Sequence, residues 1–97
     1  MIKHIVSFKL KGDKEVRLEA ARKFKESLLA LPQHIDCLLS MEVGINCNPE
    51  EKWDLVLTAI VEDLVALQEY ANHPLHLAAA SIIKDIKEDR SCVDYIF

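Results

Sequence analysis

Along the first ten residues, apolar and polar positions alternate. Ile2, His4, Val6, Phe8 and Leu10 fall on one side, with Lys3, Ile5, Ser7 and Lys9 on the other. A period of two carried by β-branched and aromatic residues predicts a strand. Gly12 and Asp13 end it, and Asp13 is placed to cap a helix. From Lys14 to about Leu31 the apolar positions change period: Ala20, Ala21, Phe24, Leu28 and Leu31 recur at helical spacing, with Arg17, Lys23 and Glu26 outside the stripe. This predicts an amphipathic helix that stops at Pro32.

Residues 37–46, CLLSMEVGIN, predict a second strand, with Gly44 marking a bulge or a close backbone approach. A polar turn, Asn48 to Lys52, leads into residues 53–61, WDLVLTAIV, a third strand apolar at nearly every position. Such a strand is covered on both faces. The chain's own helices can cover one, and a second subunit is expected on the other. Glu62 and Asp63 then open a helix holding Leu64, Leu67, Tyr70 and Ala71. Pro74 interrupts it, and a new helix carries Leu75, Ala79, Ile82, Ile83 and Ile86. Ser91 to Phe97 predicts a fourth strand. The order βαββαβ matches a ferredoxin-like α+β sandwich, with a four-stranded antiparallel sheet carrying its helices on one face. The other face, with Ile5, Val56 and Ile60, would be open and apolar, which predicts a homodimer that closes sheet against sheet.

With 97 residues, 51% of them hydrophobic and 29% charged, the chain is expected to form one domain over residues 1–97. A formal net charge of −4 argues against nucleic acid or an anionic membrane as partner. The three cysteines, Cys37, Cys47 and Cys92, show no CxxC spacing, so neither a disulfide framework nor a zinc knuckle is expected and they read as small core residues. The opening segment MIKHIVSFKLKG has no apolar h-region, and no apolar run approaches the ~20 residues of a membrane helix. A cytoplasmic location is the expectation.

The candidate chemistry gathers in residues 70–76, YANHPLH. If His73 caps the new helix and Pro74 is its first residue, His76 is the third. The positive end of the helix dipole then disfavours its imidazolium, leaving the neutral ring that a general base needs. Tyr70, one turn before the break, can donate a hydrogen bond to a carbonyl on which charge develops. The competing reading is structural, with His76 bonded to nearby backbone and Tyr70 packed in the core. His4 faces the helices beside Val6 and Phe8, either as a satisfied core histidine or as a member of the same pocket. His73 and His76 lack a third ligand at helical spacing, so no metal site is expected.

The segments MIKHIVSFKLK, EVG, WDLVLTAIVEDLVALQEYANHPLH and VDY together resemble the stress-responsive dimeric α/β-barrel (Dabb) family, in order and over essentially the whole chain. The resemblance implies a ferredoxin-like protomer whose sheet joins that of a second copy in a barrel. Most members have no assigned reaction. One plant branch cyclises a linear polyketide acid by intramolecular aldol condensation without metal or organic cofactor. For that branch, the resemblance places Tyr70 and His76 as the acid–base pair and His4 as a pocket histidine. Where that branch carries a tyrosine and a further histidine in its pocket, this chain has Phe24 and Leu55, so the implied ligand-binding lining is more apolar. Two functions are expected: binding of a small hydrophobic or keto-acid ligand between sheet and helices, or a cofactor-independent cyclase, lyase or isomerase using Tyr70 and His76.

Overall fold

The computed structural model describes all of residues 1–97. Its elements follow the order β1 (Ile2–Leu10), α1 (Lys14–Leu29), a 3-10 turn (Leu31–Gln33), β2 (Ser40–Ile45), β3 (Leu55–Val61), α2 (Leu64–Asn72), α3 (Pro74–Ser81) and β4 (Lys87–Ile96). The strands form one antiparallel sheet in the order β2-β3-β1-β4. This is the ferredoxin-like α+β arrangement expected from the periodicities.

Local chemistry explains where the helices start. The Asp13 side chain accepts a hydrogen bond from the Val16 amide at 2.9 Å, and Asp63 accepts from Ala66 at 2.8 Å. Both satisfy an amide that the first helical turn leaves without a partner. Gly12, just before α1, has φ +105°, a left-handed conformation that only glycine adopts without strain.

The sheet's two faces differ as the alternation requires. Ile2, His4, Val6, Phe8 and Leu10 of β1 are buried under the helices, beside Leu55, Leu57, Ala59 and Val61 of β3. Ala21, Phe24 and Leu28 of α1 close over them, with Phe24 meeting Phe8 edge to face at 5.3 Å between ring centroids. The opposite face carries Ile5, Val56 and Ile60, joined by Val93 and Tyr95 of β4, and Val56, Val93 and Tyr95 are exposed. At the α1 end the chain is tied by Asp54. Its carboxylate accepts from the Leu10 amide at 2.6 Å and from the Arg17 guanidinium at 2.8 Å.

Five local expectations are corrected. The stretch Cys37 to Leu39 is not strand, since β2 starts at Ser40; Leu38 is buried as part of a turn instead. Gly44 makes no bulge but pairs in register with Val56, and the one irregularity in the sheet lies between β1 and β4 at Lys9/Leu10. The last helix ends at Ser81, not near Ile86. Beyond it, Ile82, Ile83 and Lys84 donate to carbonyls three residues back, and that tighter winding points Ile83 into the core. The fourth strand begins at Lys87, four residues earlier than expected, because β1's backbone up to Leu10 pairs with it. The cysteines are not all core residues either: Cys47 is exposed and Cys37 and Cys92 are half-buried. No helix is long and apolar enough to cross a membrane.

Candidate functional site

The break between α2 and α3 arranges the site. His73 is the single extended residue between the two helices, at φ −65° and ψ 135°. Its Nδ1 accepts the Leu75 amide at 3.1 Å, so it is the cap that Pro74 requires. In an unbroken helix that amide would bond the carbonyl of Ala71, four residues back. The Ala71 oxygen is instead met by His76 Nδ1 at 2.9 Å. A carbonyl can only accept, so Nδ1 carries the hydrogen and Nε2 keeps its lone pair. Burial, acting first, lowers the His76 pKa; the bond to Ala71 works against that shift, while His4, Arg90 and His73 add to it. The result is a half-buried imidazole held neutral in one tautomer.

Tyr70, on the last turn of α2, lies between two histidines. Its ring is 4.5 Å from that of His76 and 6.3 Å, edge to face, from that of His4. The residue is only 1% exposed, and its hydroxyl has no hydrogen-bond partner. Burial drives its pKa well above the usual phenol range. At neutral pH it is therefore an un-ionised donor without an acceptor.

His4 is not a solitary core histidine. Its Nδ1 lies 2.5 Å from the Asp94 carboxylate on β4, the residue directly opposite it in the sheet. Cys92, opposite Val6 and on the same face, brings its sulfur to 3.5 Å from that nitrogen and 3.7 Å from the carboxylate. Burial, then Asp94, raises the Cys92 pKa. Sequence reasoning gave Asp94 no site role and read Cys92 only as a small core residue. Their shared parity in S-C-V-D-Y was visible, but its meaning depended on the β1–β4 register.

The fold thus gathers Tyr70, His76 and His4, and keeps Phe24 and Leu55 apart from them. Phe24 packs on Phe8, and Leu55 pairs with Phe8 across the sheet. Phe8 lies four residues from His4 along β1, about 13 Å at the usual strand rise. Phe24 and Leu55 are each 2% exposed and belong to the closed core. Two surface clefts lie towards that other end. One, of about 510 Å³, is bordered by Lys14, Arg17, Asn46 and Asp54. The other, of about 380 Å³, is bordered by Gly44, Trp53, Leu55 and Val56. Neither cleft includes Tyr70, His76 or His4.

Comparison with known proteins agrees with this architecture. A crystallised dimeric protein of unknown function and ferredoxin-like fold from Bacteroides fragilis is 43% identical, with a TM-score of 0.96, over 99% of this chain and 95% of its own. A dimeric ferredoxin-like protein of unknown function from Thermobifida fusca is 24% identical, with a TM-score of 0.81, over 99% and 90%. A Dabb family protein from Mesorhizobium loti is 21% identical, with a TM-score of 0.74, over 98% and 94%. No functionally curated protein matches the chain significantly. The profile of the stress-responsive A/B barrel domain matches residues 2–97, and the chain accordingly belongs to the Dabb family.

Proposed function

We propose that residues 1–97 act as one domain that pairs with a second copy and binds a small, mainly apolar molecule bearing a carbonyl or carboxyl group. The Tyr70 hydroxyl carries this reading. A buried hydroxyl without a partner costs about 1–3 kcal/mol, which a ligand oxygen accepting its hydrogen bond would offset. Leu67, Ala79 and Ile83 supply the apolar surroundings of the α2–α3 layer, and half-buried His76 marks the side nearest solvent. The test is titration with β-keto acids and small phenolics, followed by calorimetry and by the His76 ring resonances. Binding to the natural chain that weakens about tenfold or more in Tyr70→Phe is expected, the weight of one buried hydrogen bond to a neutral donor. Equal affinity of the two proteins would remove Tyr70 from the site.

Pairing is proposed through the open sheet face. The Bacteroides fragilis and Thermobifida fusca relatives are described as dimeric, and here Ile5, Val56, Ile60, Val93 and Tyr95 form an apolar surface with no helix over it. Ile60→Glu would place a charge in that interface and is expected to yield monomers in sedimentation at micromolar concentration. A natural chain that is itself monomeric there would end the proposal. With three free cysteines, a reducing cytoplasm is the proposed location.

The His76 tautomer favours a second reading, that of a cofactor-independent enzyme. The Nε2 lone pair would remove a proton from the carbon next to the ligand carbonyl, forming an imidazolium. The electron pair of the broken C–H bond would move onto the carbonyl oxygen, where Tyr70 donates its hydrogen bond. Turnover of a β-keto acid that falls about a hundredfold or more in His76→Ala, with binding retained, supports catalysis. Binding without turnover leaves the simpler function.

A further inference from the structure

The cluster formed by His4, Cys92 and Asp94 has a use that a hydrogen-bonded trio does not exhaust. An imidazole, a thiol and a carboxylate meet here from two neighbouring strands, and their donor atoms all lie within 4.8 Å of one another. That donor mixture is found around zinc and similar borderline-soft metals, and is foreign to magnesium or calcium, which take oxygen ligands.

The distances permit a quantitative comparison. With metal–sulfur bonds of about 2.3 Å and metal–nitrogen or metal–oxygen bonds of about 2.0–2.1 Å, a tetrahedral site sets sulfur ~3.5 Å from each other donor and the nitrogen ~3.3 Å from the oxygen. Here sulfur lies 3.5 Å from the His4 nitrogen and 3.7 Å from the Asp94 oxygen, which is already the required spacing. The nitrogen–oxygen edge is 2.5 Å, spanned by the proton of the His4–Asp94 hydrogen bond. Exchanging that proton for a metal ion requires this one edge to open by roughly 0.8 Å, from the same bond lengths. Asp94 can supply the movement, because β4 is an edge strand and its side chain is one-third exposed. His4, by contrast, is buried and fixed in the middle of the β1 ladder.

We propose that His4 Nδ1, Cys92 Sγ and Asp94 Oδ1 form a binding site for a divalent zinc-type metal ion, with a fourth tetrahedral position left for water or a ligand. Binding converts His4 to the tautomer with hydrogen on Nε2, and Cys92 releases its thiol proton to solvent. No electron is transferred. Without a cation, both burial and Asp94 oppose the thiolate; a doubly charged ion at bonding distance reverses that balance. This site does not depend on the ligand proposed at Tyr70, whose hydroxyl contributes nothing to it.

Cobalt(II) is the probe, added to the reduced full chain. A thiolate-to-cobalt charge-transfer band and tetrahedral visible bands are expected, saturating at one equivalent per chain and erased by zinc(II). The Cys37→Ser/Cys47→Ser protein should keep the spectrum. Cys92→Ser should lose the charge-transfer band, and Asp94→Asn should bind about tenfold or more weakly. Circular dichroism establishes that each variant is folded. Should Cys92→Ser unfold, His4→Gln, which is expected to abolish the tetrahedral bands, replaces it. A natural chain with no charge-transfer band overturns the proposal, and so does a band that survives Cys92→Ser unchanged.

Discussion

At the α1 end of the layer between helices and sheet, Phe24 meets Phe8 edge to face while Ala21, Leu28 and Leu55 close around them. At the α3 end Tyr70 is buried just as deeply, yet its hydroxyl has no partner, and its ring lies beside two histidines. One end is apolar on every side and its only strong polar feature, the Asp54 brace, is fully bonded at the rim. The other end keeps one polar atom, the Tyr70 hydroxyl, buried without a partner, where it costs stability. The contrast separates the part that holds the fold from the part that has unspent hydrogen-bonding capacity.

Removing the ring at the apolar end should do the most damage. Phe24→Ala is expected to cost about 3–5 kcal/mol in chemical denaturation, through lost burial and the cavity left under α1. A loss below about 1 kcal/mol would mean this end is loosely packed and would undo the comparison. Next comes the rim brace. Asp54→Ala strands the Leu10 amide and frees Arg17, with an expected loss of about 1.5–3 kcal/mol measured in the same way. Asp54→Asn should recover part of it.

Tyr70→Phe tests the polar end and carries the opposite sign. Deleting a buried hydroxyl that has no partner should leave stability unchanged or raise it by about 1 kcal/mol. A clear destabilisation would show that the hydroxyl is bonded in solution. The smallest effect concerns acid. His76 is harder to protonate in the folded chain than in the unfolded one, so the unfolded chain binds more protons below pH ~6.5. Stability therefore falls as pH drops through that value and levels off below the depressed folded pKa. Subtracting the denaturation midpoints of His76→Gln from those of the natural chain between pH 7.5 and 5.5 should isolate this loss. A flat difference would mean that the His76 ring is as easily charged in the fold as outside it.

Much of the architecture was legible because it rests on local periodicity. The β1 alternation named the five residues that the sheet buries, and Pro74 with His73 marked the break between the last two helices. The errors occur where distant pairing overrides local preference. Lys87, Glu88, Asp89 and Arg90 are poor strand formers, yet they are strand because β1 offers them a ladder. Ile82, Ile83 and Ile86 have helical spacing, but the chain must tighten there to reach that ladder. Within the candidate site, Tyr70 and His76 were readable from one short segment. Asp94 and Cys92 were not, since they join His4 only through a register that brings residues about ninety positions apart into contact.

β4 ends the sheet with a row of amides and carbonyls that no strand of the same protomer takes up on its outer side. Its first half is defended by four consecutive charged residues, Lys87 to Arg90. Its second half offers Val93, Tyr95 and Ile96, followed by Phe97, all exposed. Such an edge templates the addition of further strands unless something covers it. Were the proposed dimer to dissociate, each chain would expose the apolar sheet face beside this uncovered edge, and turbidity should rise on dilution or in Ile60→Glu before the fold itself melts. Colloidal behaviour, as much as affinity, would then set how dilute the protein can be kept.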